Sequence, residues 1–349
     1  MTEPRALVDG LLRGRRIDRV PLMGSPWADT ILSWVEQGYP TRMVYKEPGE
    51  ERWDPSDGRR VTVERAGEYV EPVPAWEHFG YDMAGVGPKF DAMPLRDYEV
   101  IESETDEWSV RRNGAGAALR YWKHKSGTPE HIHFRMTSRE VWERDYRPHL
   151  LDLDPERVGA DAARKALAER RAARVWTHFG HMFVWELMRQ SMGDVTLYQS
   201  LLLDPDWIHD YNRVYTDFYR KHYTYMFETI GLPDGIWLYE DLGYKNGLFA
   251  SPRVLEELIF PYYRELIGFF HERDLPVVLH TCGSTAEALP LIVDVGFDAL
   301  NPMERKAAGN DPLAFAEQYG DRLAFIGGLD ARVLESNDTD LIEREVAAY

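Results

Sequence analysis

Short apolar runs punctuate the chain, separated by longer stretches in which apolar residues recur every three or four positions. The runs are Val20–Met23, Met83–Val86, Arg174–Gly180, Gly235–Asp241, Pro276–Gly283, Ala299–Pro302 and Leu323–Gly328. Runs of this length, bounded by Gly, Pro or Asp, read as buried strands. The stretches between them read as helices. Ser251-Pro252 is an N-cap with Pro at the first helical position, followed by Leu255, Leu258, Ile259, Tyr262, Leu266 and Phe269 on one face. Pro261 inside that pattern predicts a kink. Asp311-Pro312 opens another helix, closed at Gly320, and Ser284-x-x-Glu287 has the form of a capping box with Gly296 at the far end. Between Trp207 and Ile230, the stripe Tyr211, Tyr215, Phe218, His222 and Met226 predicts a helix packed on the core. Strand and helix in alternation predict a parallel sheet flanked by helices.

Residues 55–135 break this rhythm. Val61 and Val63 alternate with polar residues, and Asn113-Gly114 is a hairpin signal between Trp108–Val110 and Leu119–Tyr121. An antiparallel elaboration of the N-terminal third is therefore expected. No linker or internal repeat divides the chain, so residues 1–349 are expected to form a single domain.

Composition narrows the classes. The net charge of −18 disfavours nucleic acid and anionic membranes, which select basic patches. A single cysteine rules out an internal disulfide. The N-terminal Met-Thr-Glu-Pro-Arg lacks a signal-peptide apolar core, and no run is long enough to span a membrane. The expectation is a cytoplasmic protein.

The polar residues that could carry chemistry fall at the ends of the predicted strands. That lone cysteine, Cys282, follows His280 by two residues at the end of Pro276–Leu279. Residues i and i+2 on a strand share a side, and Cys sulfur with His nitrogen suits zinc. A buried cysteine packing as a small hydrophobe is the competing explanation. The other strand ends offer His178 and His181; Tyr239, Glu240 and Asp241; Asn301 and Glu304; and Asp330. Glu240, Asp241 and Asp330 suit helix capping equally well.

In order and spacing, several segments resemble the uroporphyrinogen decarboxylase superfamily. They are Glu240–Gly243, Ser251-Pro252, Phe260–Tyr263, Leu279–Gly283, Asp298–Pro302 and Phe325–Asp330, with Leu11–Pro21 similar to that family's opening. The resemblance implies a (β/α)8 TIM-type barrel. The seventh predicted strand is the last, so an eighth β/α unit is unaccounted for and a sheet edge is left open. Porphyrin decarboxylases of the family carry an arginine-rich clamp where this chain has Gly24-Ser-Pro-Trp-Ala-Asp29. Its cobalamin-dependent methyltransferases carry a His-x-Cys zinc motif, which His280 and Cys282 match, and many add a second cysteine that this chain lacks. The resemblance thus implies a zinc-assisted methyltransferase. It would move a methyl group between a small ether or thiol substrate and a corrinoid carried by a partner protein. Glu240, His280 and Cys282 are the expected metal ligands, with Asp241 the nearest substitute for Glu240. His178, Tyr239, Asp241 and Asn301 are the expected catalytic group, and Trp176 and Trp185 the lining of an apolar pocket. Two alternatives stay open: a metal-free decarboxylase or lyase using Asp241 with the His178/His181 pair, and a non-catalytic corrinoid or subunit binder.

Overall fold

The structure is a computed structural model and describes residues 2–348 apart from Asp57, Arg59, Asp97, Lys125 and Ser126. The first strands form two small antiparallel pairs: β1 (Thr41–Lys46) with β4 (Gly67–Pro72), and β2 (Glu51–Trp53) with β3 (Arg60–Thr62). After β5 (Met83–Gly85) comes an antiparallel meander of β6 (Val100–Glu104), β7 (Trp108–Arg112), β8 (Ala117–Trp122) and β9 (Glu130–Phe134). Its central turn is the one expected at Asn113-Gly114, where the Asn113 carboxamide oxygen accepts from the N–H groups of Ala115 and Ala117.

The remaining strands are β10 (Trp176–Met182), β11 (Gly235–Tyr239), the short hairpin β12 (Gly243–Tyr244) and β13 (Gly247–Leu248), β14 (Val277–His280), β15 (Ala299–Asn301) and β16 (Ala324–Phe325). A six-stranded parallel sheet in the order β16-β15-β14-β11-β10-β5 curls into half of a barrel. Six of the seven predicted runs supply it. Val20–Met23 forms no strand: Pro21 lacks a ladder donor, and the segment is held instead by the Asp82 N–H donating to the Leu22 carbonyl.

The sheet separates two apolar regions. On its concave side Met83, Trp176, Trp237, Val278 and Ala299 pack around Val8 and Leu12 of the helix Pro4–Leu12. On the convex side Phe179, Ile236, Leu238, Val277, Leu279 and Leu300 meet the main helical layer. That layer includes Val184–Leu203, Pro205–Thr229 and Phe260–His271. Strand alternation sets these two sides. The Tyr211–Met226 stripe is core packing, as expected. The kink expected at Pro261 appears as a π-helical turn, Leu255–Ile259, before the helix resumes at Phe260. Ser284 does not cap the next helix, which starts only at Leu289; its hydroxyl donates to the Ala308 carbonyl.

Candidate metal centre

Concave-facing side chains climb the inner wall toward the C-terminal ends of the strands. Trp237 is followed by Tyr239 and Asp241, Val278 by His280 and Cys282, and Ala299 by Asn301. The parallel register sets Tyr239 beside His280 and His280 beside Asn301. One donor atom each from Asp241, His280 and Cys282 lies within 4.8 Å of the other two. All three residues are half-buried.

The donors are held in place by their neighbours. His280 Nδ1 is 2.8 Å from Asn301 Oδ1, and the Asn301 amide nitrogen donates to the Ile326 carbonyl at 3.3 Å. The second bond orients the amide, so its oxygen accepts and Nδ1 carries the proton. His280 Nε2 is then a lone pair, 3.6 Å from Cys282 Sγ. Tetrahedral zinc, with its usual bond lengths to sulfur and nitrogen, sets those two atoms roughly 3.5 Å apart. One Asp241 oxygen accepts from the Cys282 N–H at 2.9 Å, and the Asp241 carbonyl accepts from the Trp185 indole at 2.9 Å. Among the described residues, neither Asp241 nor the nearby Glu304 has an ion-pair partner. Burial, then Asp241 and Glu304, push the Cys282 thiol up to about 12. Such a thiol gives up its proton to a cation rather than to water. A soft, three-donor group with unbalanced negative charge fits zinc.

Glu240 lies elsewhere. One residue along from Asp241, it points to the convex side and is 1% exposed. Its carboxylate accepts from the N–H groups of Trp185 (3.0 Å) and Glu186 (2.7 Å) and from the Tyr263 hydroxyl. It caps the helix Val184–Leu203 instead of joining the donors, and burial raises its carboxyl to about 8. Trp185, buried beside that cap, lines no pocket with Trp176, which belongs to the concave core.

His178 and His181, three apart on β10, face opposite sides of the sheet. His178 stacks near Trp237 with centroids 5.0 Å apart, and burial lowers it to about 3. His181 points to the helices, 2.7 Å from the Tyr223 hydroxyl. Tyr239 stays 41% exposed at the mouth, its ring 5.2 Å from that of His280. Asp330 caps the helix Ala331–Glu335 and pairs with Arg332. Glu186 carried no signal in the sequence. Burial raises its carboxyl to about 7, opposed by Arg189 and assisted by Asp241.

Residues 193–349 match the family model described as uroporphyrinogen decarboxylase (URO-D). Over that C-terminal part of the chain, the match agrees with the resemblance read from the sequence. A solved methyltransferase from Methanosarcina mazei shares the fold, with a TM-score of 0.56, 14% identity, and coverage of 94% of this chain and 83% of that one. None of the curated proteins matches. No helix among the described residues is long and apolar enough to cross a membrane.

Proposed function

We propose that the protein is a zinc-assisted methyltransferase, moving a methyl group between a small thiol or methyl ether and a corrinoid carried by a partner protein. The convergence of Asp241, His280 and Cys282 at the strand ends carries this reading. Those residues would hold the metal, which supplies Lewis acidity to a substrate sulfur or oxygen. Asn301 fixes the His280 tautomer, so that Nε2 rather than N–H faces the donor group. Tyr239, beside His280 and half-open to solvent, is placed to contact the substrate. Glu186, near neutral titration and close to Asp241, can exchange a proton at working pH. The lyase alternative needs His178 and His181 on one substrate, and the two face opposite sides of the sheet.

The test begins with protein purified without chelator and assayed for metal, where about one zinc per chain is expected. It continues with a free methyl-corrinoid and a set of small thiols. Thiol-dependent loss of the cobalt–carbon absorbance in the wild type, and not in Cys282→Ser, supports the reading. Stoichiometric zinc with no demethylation by any thiol or ether pair would redirect it to the non-catalytic binder.

A further inference from the structure

Past the ends of β11 and β14 the two donor-bearing segments stop pairing backbone to backbone, and a side chain takes over. The parallel ladder bonds at every second residue: the Ile236 N–H donates to the Pro276 carbonyl and the Glu240 N–H to the His280 carbonyl. The next step of that series would join the Leu242 N–H to the Cys282 carbonyl. Instead the Thr281 hydroxyl accepts from the Leu242 N–H at 2.9 Å and donates to the Cys282 carbonyl at 3.5 Å. We infer that Thr281 is a positioning residue for the metal centre, a hydroxyl spacer that holds the Asp241 and Cys282 loops at the separation a metal needs. This inference rests on the zinc reading above and adds what sets the spacing of its donors.

Strand alternation gives Thr281 this place. It falls between His280 and Cys282, so its side chain points to the convex side while theirs point to the concave one. Thr281 and Leu242 are both fully buried. The hydroxyl thus acts from behind the donors and does not join them. Thr281 also reaches the third strand, since its N–H donates to the Asn301 carbonyl at 2.7 Å. Its two bonds link the segments that supply Asp241, the His280–Cys282 pair and the Asn301 oxygen that fixes the His280 tautomer.

Both loops are braced on their far sides, which leaves Thr281 to set the distance between them. The Asp241 carbonyl accepts from the Trp185 indole, and the Leu242 carbonyl accepts from the Phe249 N–H, each at 2.9 Å. After Cys282 the chain turns away at Gly283, whose φ of +81° suits glycine and where a Cβ would lie 2.7 Å from the Tyr244 backbone. Across the gap the Cys282 N–H donates to Asp241 at 2.9 Å. A buried N–H is not left unpaired without cost. Removing the hydroxyl therefore drives the Leu242 N–H toward the Cys282 carbonyl and draws the loops together. Asp241 then moves against Cys282, and the donor spacing changes.

The test reads metal affinity and the ligand field, neither of which requires turnover. Full-length wild type, Thr281→Ser, Thr281→Val and Thr281→Ala are loaded with zinc and titrated with a competing chelator. Cobalt-substituted samples give visible spectra. Valine keeps the shape and loses the hydroxyl; serine keeps the hydroxyl and loses the methyl group. Alanine leaves room for the ladder to close, which keeps a folded variant in hand if valine is not tolerated. If Thr281 sets the spacing, Thr281→Val and Thr281→Ala lose zinc affinity by at least roughly 10-fold and their cobalt spectra depart from wild type, whereas Thr281→Ser keeps both. A purely structural role would lower the melting temperature of the metal-free variants and leave the affinity and spectra of the folded protein unmoved; that result overturns the inference. So does a Thr281→Ser protein that binds as weakly as Thr281→Val, which would assign the effect to the methyl group. Wild type that takes up no metal brings down the zinc reading and this inference with it. Zinc held equally well by wild type, Thr281→Val and Thr281→Ala overturns this inference alone.

Discussion

Asp241 and Glu240 are adjacent, chemically alike, and assigned to different tasks by one step of strand alternation. Asp241 shares the concave side with Tyr239 and sits with the donors, while Glu240 shares the convex side with Leu238 and caps a helix. Counting alternation from Trp237 would have chosen Asp241 from the sequence. The sequence reading favours Glu240 because the strand end is uncertain by a residue, and one residue reverses the side. Substitutions should separate the two tasks. Cys282→Ser should remove most of the bound metal and leave the melting temperature close to that of metal-free wild type. Glu240→Ala should leave metal stoichiometry unchanged. It should lower the melting temperature by several degrees, because the buried Trp185 and Glu186 N–H groups lose their acceptor at about 1–3 kcal/mol each. Metal analysis and thermal unfolding on the same samples decide it; metal that persists in Cys282→Ser would show the wrong ligand has been named. Asn301→Ala acts one shell further out. By freeing the His280 tautomer it should weaken metal binding roughly 10- to 100-fold with little effect on folding, and a chelator titration checks this.

The elements most legible in the sequence are those whose signal is local. Strands β10, β11, β14, β15 and β16 follow from short apolar runs, and the helices at Pro252 and Pro312 follow from Ser or Asp before Pro. Two kinds of element escaped. Strands β1 and β2, which precede the antiparallel stretch expected over residues 55–135, are polar-rich and largely exposed. Ser284, which reads as a cap, finds a better acceptor in Ala308 from a distant loop. Tertiary partners of this sort leave no trace in spacing. Another long-range bond gives the elements a pH signature. His271, at the end of the helix Phe260–His271, lies 2.9 Å from Asp298, which also accepts from the Val277 N–H at the start of β14. Its bond to Asp298, more than its burial, sets the balance and raises the imidazole above 6.5. A raised folded-state pKa stabilises fully below the unfolded value and ceases to do so as pH rises through the folded one. The stability difference between wild type and His271→Gln should therefore be largest in mild acid and shrink as pH climbs above 6.5. Denaturant unfolding at a series of pH values checks it, and a difference that grows toward alkaline pH would contradict the assignment.

At the scale of the whole molecule, the donor group and the core occupy separate places. Most of the largest buried side chains, among them Trp142, Trp185, Tyr211, Tyr215, Tyr219 and Phe183, lie in the helical layer on the convex side of the sheet, with Trp176 and Trp237 on the concave side. The donors sit on the opposite side, at the last residue of β14 and just past the ends of β11 and β14, where the half-barrel opens. Burial of that aromatic layer stabilises the fold by the hydrophobic effect, which scales with apolar area removed from water and takes no contribution from a metal. Small zinc domains behave differently, because their ligands replace a core that is missing. Here the metal should add stability only by mass action, on the order of 4 kcal/mol when free metal stands near 1,000 times its dissociation constant. Removing it with a chelator should therefore leave far-ultraviolet circular dichroism unchanged and unfolding cooperative. The melting temperature should fall by a few degrees and return when zinc is restored. Lower pH should have the same effect on metal content, since protons compete for the Cys282 sulfur and the His280 nitrogen. Collapse of the circular dichroism signal on chelation, at a temperature where the loaded protein is folded, would mean that the donor group holds the barrel together and that its place at the mouth has been misread.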